Sequence, residues 1–198
     1  MQPVDLVKRL NSVVPSTYET DRQHLPVADE IMASLIDAFQ SASVEQRGVA
    51  RAELGRAARW FLLCYAWERA EQAIKQKSGE MITQGLLTLS IEDGGFDARD
   101  SIVRMSILFR SAQKLGLDAV QLFAKAADFA TNPFLKTAML EFPARPPEQR
   151  DLRMAFFIDE KTTEQGFSYQ LQPWRFAKAV RRKVWLQKLR RFFGRDSG

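Results

Sequence analysis

Ser43 to Lys77 reads SVEQRGVARAELGRAARWFLLCYAWERAEQAIKQK, and this stretch decides the fold. Ser43 followed three residues later by Gln46 matches a capping box, in which each side chain bonds the other residue's backbone N–H. From there the spacing predicts one long helical stretch to about Lys77, with Gly48 and Gly55 weakening its first half and bending it. One apolar stripe is Ala50, Leu54, Ala57, Phe61 and Cys64; a second is Trp60, Leu63, Trp67, Ala70 and Ile74. The two overlap between Trp60 and Trp67, where nearly every side is apolar. A helix apolar all round runs through the middle of a fold, so this helix is expected to be the central element.

The flanking segments carry the same periodicity. Val4, Val7, Leu10 and Val14 predict a short first helix, and Ser16 to His24 a polar loop. Pro26 opens a second helix, with Asp29 and Glu30 in its first turn and a stripe of Val27, Ile31, Leu35 and Phe39. Downstream, Ile82, Gly85, Leu86 and Leu89 suggest a short helix stopped by Gly94-Gly95. Asp97 then serves as N-cap and Asp100 as first-turn acid for a helix that buries Ile102, Met105, Phe109, Ala112 and Leu115. Gly116-Leu117-Asp118 reads as a tight junction: a left-handed C′ glycine, a hydrophobic C″ contact and the next N-cap. Val120, Phe123, Ala127 and Ala130 line the helix that follows. Asn132-Pro133 caps and starts another, with Phe134, Leu135, Ala138 and Met139.

Three prolines between Phe142 and Pro147 mark a connection. Beyond it Met154, Phe156 and Ile158 alternate, as do Phe167, Tyr169 and Leu171, with Thr162 to Gly166 between them. That fits a β-hairpin, although residues 148–158 fit a helix equally well. Ala and Leu outnumber Val and Ile 43 to 19, which favours helix over strand. The expected fold is all-α: an irregular helical bundle, or a short stack of helical hairpins, of about seven to eight helices, with a small β-hairpin near residues 153–171.

Composition narrows the chemistry. With 45% hydrophobic and 27% charged residues, the 198-residue chain is not generally disordered. One Cys and one His exclude a disulfide framework, a multi-cysteine metal site and a His-pair zinc site. There is no glycine-rich nucleotide fingerprint, P-loop, nucleophile elbow or HExxH. Cys64, inside an aromatic helix, is expected to be an inert core thiol, and His24 a solvated loop residue. Glu92, Asp93, Asp97 and Asp100 surround the Gly-Gly turn and offer oxygens to Ca²⁺ or Mg²⁺, but their spacing misses the D-x-D-x-D-G loop and capping accounts for two of them. Asp159, Glu160 and Glu164 read as solvated turn charges, and the aromatics of Trp60 to Trp67 as core. No catalytic residue, metal ligand or cofactor is assigned. The first residues lack the basic start and apolar run of a secretory signal. The longest clearly apolar run, Trp60 to Trp67, is eight residues against the roughly 20 of a membrane span. A soluble, cytoplasmic protein is expected, and an unpaired cysteine suits that compartment.

Charge then separates a helical body, residues 1–172, from a basic C-terminal segment, residues 173–198. The segment holds nine basic residues and one acid, a formal +8 against +5 for the whole chain. Pro173 is a plausible helix start, and Trp174 to Phe193 contains no helix breaker. At 100° per residue Phe176, Ala177, Val180 and Val184 share one side, while Trp185, Leu186, Leu189, Phe192 and Phe193 lie roughly opposite. The first half would pack on the body. The second would present its aromatics and leucines among Lys188, Arg190 and Arg191, next to Arg181, Arg182 and Lys183. Such a surface suits a protein partner or a second copy; it also suits nucleic acid or an anionic membrane surface. Alternatively the segment folds back over the body's own core. The expected role is a non-enzymatic interaction protein, adaptor or regulator, acting through this helix. The alternatives are a nucleic-acid-binding protein using the same helix, and an enzyme or metal-binding protein using the acidic loop at 92–100.

Overall fold

A computed structural model describes residues 1–18, 25–96, 98–144, 158–163 and 166–171 of the chain. The chain divides into two compact units, Met1–Arg145 and Pro146–Gly198.

The first unit is an all-α helical bundle, with eight helices among the described residues: α1 (Pro3–Val13), α2 (Pro26–Ser41), α3 (Val44–Ala52), α4 (Arg56–Gln76), α5 (Gly79–Glu92), α6 (Ala98–Lys114), α7 (Ala119–Ala127) and α8 (Pro133–Ala144). The local signals that start and stop these helices are those in the sequence. Pro26 begins α2. The Ser43–Gln46 box closes with both of its bonds, 3.2 Å and 2.9 Å. Gly116 sits at φ 67° while the Leu117 N–H reaches back to Ala112 O at 3.0 Å, and the Asp118 carboxylate accepts from Gln121 N at 3.1 Å. Leu117 also packs on Gly79, whose added Cβ would lie 3.2 Å from the leucine. The Asn132 side chain accepts from Phe134 N and Leu135 N at the start of α8.

Four expectations change in this unit. The long stretch from Ser43 is two helices, not one bent helix. Asn11, on α1, holds the corner between α3 and α4: its Nδ2 donates to Glu53 O at 2.7 Å, and its Oδ1 accepts from Gly55 N at 3.0 Å. A Cβ on Gly55 would stand 3.1 Å from that Oδ1, a tight contact that would push the Asn11 amide by a few tenths of an ångström. The connection expected at Phe142 is still helix, with Phe142 and Pro143 buried in the last turn of α8. Within the stripes, Val27 is 52% exposed and Ala28, Ile31, Met32, Leu35, Ile36 and Phe39 carry the buried face of α2 instead.

The fourth change concerns the centre. Trp67 is 38% exposed, so α4 is not covered all round. The covered element is α5, in which every residue from Gly85 to Glu92 is buried. It packs against α2, α3, α4, α6 and α7. Gly85 makes the close crossing possible: a Cβ there would meet Leu108 Cδ2 at 2.6 Å and Ala66 O at 3.3 Å. The hydroxyls that this burial takes from water are bonded, Thr88 within its own helix to Gln84 O and Ser90 across to Ala126 O on α7, both at 2.8 Å. Beside α5 an aromatic cluster forms where Phe109 meets Phe123 and Phe142 edge-on at 5.8 Å and 5.5 Å.

In the second unit, β1 (Ile158–Thr163) pairs antiparallel with β2 (Gly166–Leu171). The hairpin falls where the alternation placed one, but its first strand continues through Thr163. Ile158 lies opposite Leu171 and Thr163 opposite Gly166, which leaves residues 164–165 between the strands. Asp159 and Glu160 are therefore strand positions rather than turn charges. Residues 154–157 and Glu164 lie outside the described residues.

Candidate functional site

The residues expected to meet a partner, Arg181 to Phe193, lie outside the described residues, as does His24. Within the first unit, the densest grouping of chemistry-bearing side chains is at the C-terminal end of α5. The helix ends at Asp93 in the left-handed conformation (φ 58°, ψ 30°), with Gly94 left-handed as well (φ 72°). That double turn directs two neighbouring carboxylates to different surroundings.

Glu92 is fully buried. Its carboxylate accepts from Gly94 N (2.8 Å), Phe96 N (2.6 Å) and Ser101 Oγ (3.0 Å), and the Arg59 guanidinium stands 3.9 Å away. Burial raises its pKa above the ordinary value; the three donors and the Arg59 charge pull the other way. Arg59 also donates to Glu92 O and Arg51 O, each at 2.8 Å, and to Leu54 O at 3.2 Å, so it ties the α3–α4 corner to the end of α5.

Asp93 faces the α7–α8 connection. Its carboxylate accepts from Thr131 N (2.9 Å), Asn132 N (3.0 Å) and the Thr131 hydroxyl, while Asn132 Nδ2 donates to Asp93 O at 3.1 Å. Arg51, on α3, reaches the same place. Its Nη2 donates to Ser90 O at 2.8 Å and to Phe129 O, and its Nε lies 3.8 Å from Asp93 Oδ2. Burial lowers the Arg51 pKa, and Asp93 opposes that shift. Arg47 adds a cation–π contact 4.6 Å above Phe129.

Each of these groups is engaged with the protein itself. The cluster fastens the α3–α4 corner, the end of α5 and the α7–α8 connection to one another. The acids of the 92–100 loop do not converge: Glu92 serves its own turn, Asp93 serves Thr131 and Asn132, and Asp100 pairs with Arg104 at 2.6 Å. Asp97 lies outside the described residues. Among the described residues no group of three or more His, Cys, Asp or Glu is placed to hold a metal ion. Sequence reasoning missed Arg51, Arg59, Ser101 and Thr131. Their partners are as much as 78 residues distant, and no spacing rule spans that.

Two surface features remain. Along α4 and the start of α6, cations and rings alternate. Arg56 stacks on Phe96 (5.0 Å), Phe96 meets Trp60 (5.1 Å), and Arg104 lies over both Trp60 (5.2 Å) and Trp67 (5.6 Å). Trp67 Nε1 donates to Glu71 at 3.0 Å. A groove of about 630 Å³ lies between α1 and α2, with Leu6, Ile31 and Ala38 among its apolar residues and Arg9, Glu30 and Asp37 as its charges. Cys64 is half-buried beside the buried Tyr18 phenol, whose pKa burial raises. No helix among the described residues is long and apolar enough to cross a membrane. Comparison with known proteins finds no match for this chain, whether among family models, curated proteins or solved structures.

Proposed function

We propose that this chain is a non-enzymatic cytoplasmic interaction protein, an adaptor or regulator, that meets a partner chain or a second copy through its C-terminal residues 173–198. One observation carries this reading. A formal +8 is concentrated in the last 26 residues, interleaved with Trp185, Leu186, Leu189, Phe192 and Phe193. Aromatic residues and arginine dominate the energetic centres of protein interfaces, and an amphipathic helix with such a seam docks in a groove. The internal engagement of the Arg51–Asp93 and Arg59–Glu92 cluster supports a scaffold role for the best-furnished polar group of the first unit.

Truncation after Gln172 and the double variant Trp185→Ser/Phe192→Ser test the proposal. Both are expected to retain the full chain's cooperative melt, the double variant with its circular dichroism unchanged and the truncated chain with a helical signal reduced only by the missing segment. Both are also expected to lose concentration-dependent association in sedimentation, and to lose any partner that the full chain retains in pull-downs. A truncated chain that unfolds, or a double variant that melts well below the parent while binding as before, would show that the segment belongs to the fold.

The nine basic residues favour nucleic acid as the second reading. It requires binding of a random oligonucleotide with a log–log salt slope of about −0.7 to −0.9 per phosphate contacted. Affinity indifferent to salt removes it. Sedimentation with anionic vesicles tests the membrane surface in the same way.

A further inference from the structure

We draw no further inference here: the strongest candidate, the groove between α1 and α2, bears charges of both signs in Arg9, Glu30 and Asp37, and nothing in the structure shows what covers it.

Discussion

Arg51→Ala removes the pin that joins α3 to the end of α5 and to the α7–α8 connection. The substitution deletes the donor to Ser90 O and Phe129 O, the charge 3.8 Å from Asp93, and a cation 5.5 Å above the Phe39 ring. A buried acceptor left without its donor costs about 1–3 kcal/mol, and truncating one member of a buried ion pair about 3–5 kcal/mol. These losses overlap because they share one side chain, and Asp93 keeps Thr131 and Asn132 as donors. The expected loss is therefore about 4 kcal/mol, or roughly 10 °C in Tm for a unit of this size. Urea unfolding followed by far-ultraviolet circular dichroism is the assay, with the slope unchanged and the midpoint lowered. Arg51→Met separates two contributions. It keeps the apolar stem and drops a cation whose Nε and Nη1 are buried without hydrogen-bond acceptors, so it is expected to cost about half as much as alanine. An alanine variant within about 1 kcal/mol of the parent would refute the pinning role. A methionine variant as unstable as alanine would refute the desolvation argument.

Four further substitutions probe the same framework. Glu92 has a raised pKa, so the folded chain binds its proton more tightly than the unfolded chain does. The stability this contributes is present in full below the ordinary value of 4.5 and is lost as pH rises through the folded pKa. The Tm of the parent relative to Glu92→Gln should accordingly fall from pH 4.5 towards neutrality, and a flat difference would contradict the burial argument. Gly85→Ala forces a Cβ to within 2.6 Å of Leu108 and is expected to cost about 1–3 kcal/mol, whereas Gly48→Ala, exposed on α3 with nothing within 4 Å, should stabilise by about 0.5–1 kcal/mol. Chemical denaturation of the pair checks both signs at once. Asn11→Ala releases both bonds that hold the α3–α4 corner; a loss of about 1–2 kcal/mol is expected in the same assay, and no change would place the break elsewhere.

The parts of the fold legible in the sequence were those decided within a few residues. The Ser43–Gln46 box, Pro26, the Gly116-Leu117-Asp118 junction and Asn132-Pro133 each satisfy backbone groups next to themselves, so their chemistry can be read in place. Gly55 was legible as a bend; that the bend is a full break between two helices was not, because the residue that holds the corner, Asn11, is 44 positions away. The choice of central helix failed for a related reason. Trp60 to Trp67 is the most apolar run, but burial depends on how many neighbours surround an element. Gly85, Thr88 and Ser90 make α5 look modest while allowing it to be surrounded. The polar cluster follows the same logic: Glu92 and Asp93 stood out as acids, but their roles were set by Arg51, Arg59, Ser101 and Thr131. The proposed contact surface at residues 173–198 rests on charge and aromatic spacing alone.

The enclosure of α5 also bears on how the chain is made. Of the helices that pack on it, α2, α3 and α4 precede it in the chain, and α6 and α7 follow it. On the ribosome, α5 therefore emerges without two of the helices that cover it and stays so until residues 98–127 have been translated. During that interval the nascent chain displays apolar surface that the finished fold encloses, and holding chaperones have a reason to engage it.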